Sequence, residues 1–373
     1  MKVFIDLTAL YDNFSGIERY AASLASALIR AEEHEYILAF KNEIHPIFQS
    51  AVRLPHVTAE VISGGNRLVF NQLVLPAALR KIKADCYLFM AFPVPLLSMK
   101  RNMIGTLHDI CCWDCPESMK ALSKWYFRIS QRVALIKCRK VLTISEFSRR
   151  RIIERLHARA QKIELIYCAA GEAFMNFEKD PAEDDELRKK YALPERFVLS
   201  LSTLEPRKNL RLLVEAYQQL VREGDMQDEL VLVGRQGWKI DNLLEGIDQP
   251  VRERIHFTGF VQDEDLPGIY GLARLFVFPS KYEGFGLPPL EAMACGTPVL
   301  SSDAASMPEV LGDAAEYFPS GNRDMLANSM KRLLAMDDVQ LAAYGSKGRE
   351  RARCFDWTKE ADKLLDMIEN KCR

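Results

Sequence analysis

One stretch limits the fold more than any other. From Phe276 to Leu300 the chain runs through an apolar segment, then Gly284, Gly286, Pro288 and Pro289, then helix formers, then Gly296 and Pro298. A short apolar run between such breakers reads as a strand buried on both faces of a parallel sheet. The glycines permit backbone torsions other residues resist, and two prolines suit the first turn of a helix, where an N–H has no partner. Strand, loop, helix and strand are therefore expected in that order, with Glu283 in the loop and Glu291 in the first helical turn. Open α/β sheets bind ligands at the carboxyl ends of their strands. Main-chain amides and a helix dipole there suit an anion, and the two carboxylates suit hydroxyl donors. A plain connection with solvated glutamates gives the same pattern.

A chain of 373 residues is long for a single core, so two domains are expected. Strand-like runs at 2–7, 35–40, 57–62, 86–89, 103–107 and 162–167 alternate with helical segments. One of these helices, 17–30, carries apolar residues at 17, 20, 21, 24, 27 and 28. A second series begins at 197–203 and continues at 229–234 and 254–261. The pattern predicts two doubly wound, Rossmann-like α/β domains, with ligands between facing strand ends. The acidic stretch from Glu178 to Glu186 is the expected linker. The domains are then 1–180 and 181–354, followed by a helical tail, 355–373, with an apolar stripe at Trp357, Ala361, Leu364, Leu365 and Ile368.

Several residues invite a chemical reading. Arg207 and Lys208 stand where the strand at 197–203 feeds a helix, the end at which cations are disfavoured, so a bound anion is expected beside them. His108 follows the strand at 103–107 and can donate to an oxyanion or a sugar hydroxyl. Cys111, Cys112 and Cys115 lie near it, but their spacing fits no standard zinc set. Asp263 to Asp265 precedes Leu266 and Pro267 and reads as acidic N-capping rather than a metal motif. No G-x-G-x-x-G and no Walker lysine occurs, so neither a dinucleotide site nor an NTPase is supported.

Charge is uneven although the net charge is only −1. From Lys120 to Lys162 there are 13 Lys or Arg against two acids, with Trp125, Tyr126 and Phe127 among them. That composition fits a peripheral membrane contact or a set of solvated helix faces. No nucleic-acid-binding module is present. No apolar run is long enough to span a bilayer. The chain opens on a strand, and its nine cysteines are irregularly spaced, so a cytoplasmic protein is expected.

Glu283 and Glu291, with Gly284 to Pro288 between them, resemble the signature of glycosyltransferase family 4, and the resemblance runs from Lys2 to the C-terminal helix. It implies the GT-B architecture, a nucleotide-sugar donor, retention of anomeric configuration and no metal or other cofactor. By the same resemblance Gly16 lies in a glycine loop near the donor diphosphate, and His108 faces the donor sugar. Arg207 and Lys208 form the diphosphate clamp. Thr203, Gly234 and the backbone at Phe260 and Val261 belong to loops that hold the nucleotide. Glu283 grips the sugar hydroxyls with the backbone of Phe285, Gly286 and Leu287, and Glu291 grips the ribose. The segment capped by Ser145 lies toward the acceptor. Ser202, where many relatives have glycine, is a departure. The C-terminal helix is implied to pack back on the first domain.

The pattern looks most like bacterial mannosyltransferases that use GDP-mannose for surface polysaccharide, with a glycan or polyprenyl-linked acceptor. A UDP-sugar donor, a nucleotide-sugar epimerase and a sugar-nucleotide-binding protein without turnover are the competing readings.

Overall fold

Apolar runs of four to seven residues can hide both faces only inside a sheet covered by helices on each side. A computed structural model of the protein describes residues 1–10, 16–91, 93–202, 205–234 and 243–372, and these form two all-parallel sheets. Each belongs to its own compact unit, one spanning Met1–Cys168 with Asp356–Arg373, the other Ala169–Phe355.

The first sheet contains β1 (Lys2–Asp6), β2 (Glu35–Lys41), β3 (Val57–Ile62), β4 (Cys86–Phe89), β5 (Met103–Thr106), β6 (Lys140–Thr143) and β7 (Ile163–Leu165). Their order is β3-β2-β1-β4-β5-β6-β7, with Val3 opposite both Tyr36 and Cys86. Phe4, Phe89, Val141 and Leu75 lie in its core. The Gly16–Arg30 helix buries Tyr20, Leu24 and Leu28, but Ile17 is exposed and Glu18 buried, so its inner face is rotated from the expected one. The cause is the Trp357–Cys372 helix, which lies against it: the Trp357 ring packs edge-on to Tyr20 at 5.7 Å. That helix also turns Glu360 inward, where its carboxylate accepts the Tyr167 N–H at 3.0 Å.

The second sheet contains β8 (Phe197–Leu201), β9 (Glu229–Val233), β10 (Ile255–Gly259), β11 (Leu275–Phe278), β12 (Val299–Ser302) and β13 (Glu316–Phe318), in the order β10-β9-β8-β11-β12-β13. Successive strands run outward from β8 on one side and from β11 on the other. The chain reverses direction between those two, so the loops after β8 and β11 emerge side by side. The Leu287–Ala294 helix after β11 is held by the Asp338–Ala352 helix, whose Gly345 and Gly348 allow close approach. A Cβ at Gly345 would strike the Gly296 carbonyl.

The acidic stretch expected as a linker is instead the start of a helix, Pro181–Tyr191, within the second unit. Asp180 caps it by accepting the Ala182 N–H at 2.9 Å, and Glu183 and Asp184 occupy its first turn, where carboxylates complement the dipole. Leu187 packs against Gly268. Leu187 is the buried residue of this helix, and Lys190 and Tyr191 at its end bind Asp265, so a stretch poor in apolar residues is still held on the surface.

Candidate active site

The two neighbouring loops of the second sheet bring together residues more than seventy positions apart in sequence. After β8 the chain makes a tight turn, Pro206–Lys208, and enters the Leu210–Glu223 helix through Asn209 at φ +55°. Asn is among the few residues that tolerate that torsion. After β11 the loop folds onto this turn, and the Lys281 N–H donates to the Arg207 carbonyl at 2.8 Å. Arg207 Nη1 reaches the Tyr282 carbonyl at 3.0 Å and Glu283 Oε2 at 3.1 Å, and its Nε donates to Glu205 at 3.2 Å. Lys208 Nζ donates to Glu283 Oε1 at 2.7 Å, and the Ser280 hydroxyl to the same oxygen at 2.5 Å. Lys208 also lies 5.4 Å from the centroid of the Phe278 ring.

Lys208 and Glu283 are both buried, and their charges are set by each other. Burial alone would raise the Glu283 carboxyl. The charges of Lys208 and Arg207, and hydrogen bonds from Lys208 and Ser280, outweigh it and hold the group at about 2. Burial lowers the Lys208 ammonium, the Arg207 charge adds to that, and Glu283 opposes both. The 2.7 Å contact is that of an ammonium on a carboxylate, so the pair is ionised at neutral pH. The anion expected beside the two cations is thus supplied by the chain itself. Glu283 balances the cations in addition to any contact with a sugar.

Gly286 caps the Leu287–Ala294 helix at φ +100°, and a Cβ there would collide with Met307. The Ser306 hydroxyl lies 3.0 Å from both the Glu283 and the Phe285 carbonyls and pins the loop. Pro288 and Pro289 have no N–H, so Leu287 alone of the first three helical residues has one, fewer than the sequence led one to expect. Glu291 is the fifth residue of its helix, one position past the first turn in which it was expected. It is buried and accepts the Tyr270 hydroxyl at 3.1 Å.

Of the residues assigned to the nucleotide, Gly234 adopts φ +146° and donates its N–H to the Gly259 carbonyl at 3.0 Å, joining the ends of β9 and β10. Val261 is buried and Phe260 exposed. Thr203 lies outside the described residues, as do Ser15, Trp238 and Lys239. The Asp265 side chain does not cap its helix. It is bound by Lys190 at 2.7 Å and the Tyr191 hydroxyl at 2.6 Å, because the Pro181–Tyr191 helix ends beside it.

Gly16 and His108 belong to the first unit. Gly16 is the first residue of its helix. His108 follows β5, and its Nε2 is 2.7 Å from the Met90 carbonyl, which can only accept. Nε2 therefore carries the proton. The residue is part-buried, and burial, with Tyr20 edge-on at 5.0 Å, lowers its pKa to about 4 against the pull of Met90. At neutral pH the ring is uncharged and Nδ1 accepts. The sequence suggested a donor to an oxyanion or a hydroxyl; in this state the donor nitrogen is bound to Met90 and Nδ1 is an acceptor. Ser145 caps the Glu146–Leu156 helix by accepting the Ser148 N–H at 3.0 Å. The Cys112 thiol donates to Gln131 at 3.2 Å, and Cys111 lies 3.2 Å from the Ser118 hydroxyl. Among the described residues no group of three His, Cys, Asp or Glu is placed to share a metal ion.

Sequence reasoning missed Ser280, Ser306 and Asn209. The serines give no local signal, since their partners are formed only when the loop closes. Asn209 carried one, because Asn next to a helix start often marks a left-handed residue.

A family model described as Glycosyltransferase Family 4 matches residues 14–170, and one described as Glycosyl transferases group 1 matches residues 183–351. The chain is 34% identical over 330 residues to O-antigen chain mannosyltransferase B of Escherichia coli, covering 88% of this chain and 81% of that one. It is 39% identical over 230 residues to the serotype-specific mannosyltransferase WbdA of the same organism, covering 61% of this chain but only 28% of that longer protein. Among solved structures, Anabaena Alr3699/HepE in complex with UDP-glucose has a TM-score of 0.75 at 20% identity, covering 99% of this chain and 100% of that one, a likeness of GT-B fold.

Proposed function

The chain belongs to the family 4 glycosyltransferases, nucleotide-sugar-dependent enzymes, and from that premise we propose that it moves mannose from GDP-mannose, with retention, to a glycan or polyprenyl-linked oligosaccharide. The observation that carries the reading is the convergence of Arg207 and Lys208 on one carboxylate at the chain-reversal point of the second sheet. The bond to break joins the anomeric carbon to a phosphate oxygen, and negative charge builds up on the departing diphosphate. Arg207 and Lys208 stabilise that charge electrostatically, so the reaction needs no metal. Glu283 keeps the two cations in place and turns toward the sugar hydroxyls as the diphosphate takes over part of its role. Ser202 Oγ and Asn209 Nδ2 are buried without hydrogen-bond partners among the described residues and face the same task of meeting phosphate oxygens. His108 Nδ1 accepts from a sugar hydroxyl, and Glu291 from the ribose. A phosphate oxygen of the leaving group takes the acceptor's proton on the face it vacates.

Mannose and surface polysaccharide are carried over from the names of the relatives. A cytoplasmic site is in keeping with the buried thiols of Cys138, Cys168 and Cys295, none of them in a disulfide. Thermal-shift measurements with GDP, UDP, TDP and ADP, followed by transfer assays with the matching sugars, test the reading. GDP is expected to raise the midpoint most. A UDP preference would replace the donor, and no shift with any nucleotide would remove the donor site altogether.

A further inference from the structure

A helix on the surface of a soluble unit ordinarily turns its polar side outward. The Ala121–Lys137 helix also turns a stripe of large apolar residues outward. Leu122, Trp125, Ile129 and Ile136, spaced as one stripe, are 80%, 61%, 51% and 78% exposed, while Ser130, Gln131 and Ala134 face the interior. The inward polar groups are satisfied there: Gln131 receives the Trp113 indole N–H at 2.8 Å, and Ser130 donates to the Tyr126 carbonyl at 2.8 Å.

Two further segments extend the apolar face. Asn71 and Gln72 donate to the Tyr126 hydroxyl at 3.3 and 3.1 Å, which fastens 67–74 beside the helix with Leu68, Val69 and Leu73 exposed. Lys137 donates to the Leu96 and Ser98 carbonyls, and Leu96 N–H donates to Gln72 at 2.9 Å, which fastens the loop that exposes Leu97 and Met99. Met99 is 82% exposed. An apolar patch of this kind, assembled by three hydrogen-bonded segments, is not a scattering of single residues.

Its surroundings are cationic. No Asp or Glu occurs in 61–84, 86–108 or 120–140, whereas Lys120, Lys124, Arg132 and Lys137 lie on or beside the helix and Arg128 sits 5.8 Å from the Trp125 ring. Farther along the basic region cations are paired with carboxylates, Arg151 with Asp114 at 2.8 Å and Arg149 with Glu146 at 3.1 Å, whereas Lys137 and Arg128 bond neutral carbonyls, Lys137 as above and Arg128 that of Cys112. No helix among the described residues is long and apolar enough to cross a membrane.

We propose that this face docks on the surface of an anionic phospholipid bilayer, with the Leu122–Ile136 stripe seated at the depth of the headgroups and the lysines and arginines on lipid phosphates. A second copy of the chain is a poorer occupant, because a self-interface would set these cations against their own counterparts. Nucleic acid would leave the apolar stripe without a partner.

Co-sedimentation of the full chain with vesicles of phosphatidylcholine, alone or mixed with phosphatidylglycerol, tests the proposal. Binding is expected with phosphatidylglycerol present and should weaken as salt rises. Replacing Leu122, Trp125 and Ile129 together by Ser should reduce vesicle partitioning by at least about tenfold, with the thermal midpoint unchanged. Brominated acyl chains should quench the wild type and quench Trp125→Phe less, although that variant still binds. Absence of vesicle binding, or binding that the triple variant keeps, would overturn the proposal. So would a dimer in solution that the triple variant dissociates while neither protein binds vesicles. The assay reads adsorption and no turnover, so it stands apart from the donor assignment.

Discussion

Replacing Glu283 by Gln keeps the shape of the side chain and removes its charge. The carboxyl is held at about 2 against an ordinary 4.5, and a difference of that size is worth about 3 kcal/mol at neutral pH. The variant also leaves Lys208 buried beside Arg207 with no carboxylate between them, a loss of the same order when one partner of a buried pair is removed. For a unit spanning Ala169–Phe355, about 3 kcal/mol lowers the melting midpoint by roughly 6–12 °C. The folded carboxyl titrates below the unfolded one, so its contribution is complete above about pH 4.5 and fades as pH falls toward 2. Calorimetric melting of both proteins from pH 7 downward should therefore show a gap that narrows in acid. GDP should raise the midpoint of Glu283→Gln more than that of the wild type, because a diphosphate restores the missing counter-charge. A variant that melts together with the wild type at pH 7, or that gains less from GDP, would refute the charge balance argued for this site.

Other expectations are as direct. His108 titrates in the fold at about 4 and ordinarily near 6.5, so the stability it lends is present above pH 6.5 and is lost as pH falls to about 4; acid titration of His108→Gln should show a shallower decline over that interval. Gly286→Ala places a Cβ against Met307 at a torsion L-residues avoid, so a thermal midpoint reduced by the equivalent of about 1–3 kcal/mol and weakened nucleotide binding are expected in a titration. If Arg207 and Lys208 meet the diphosphate as proposed, transfer should survive exhaustive EDTA treatment; activity that disappears with the chelator and returns with a divalent ion would exclude a metal-free reaction.

The local grammar of the chain was easy to read. Gly286 and Pro288 mark the start of the helix after β11, Gly296 its end and Pro298 the start of β12, by steric rules that need no distant partner. What Glu283 does was less legible, because its partners Arg207 and Lys208 come from another loop and meet it only through the strand order. The stretch after Glu178 misled for a related reason: composition showed few apolar residues but not that Leu187 alone would find a seat at Gly268. Periodicity likewise finds a stripe at Leu122, Trp125, Ile129 and Ile136 but gives no sign of which way it points; here it faces away from the core.

The Trp357–Cys372 helix completes the unit that begins at Met1, although all of Ala169–Phe355 intervenes. Until residues 357–372 have been made, the first unit lacks its last helix and Tyr20 lacks its Trp357 cover. A truncation anywhere between Cys168 and Trp357 therefore costs the first unit its closing helix, however far from Met1 the cut is made.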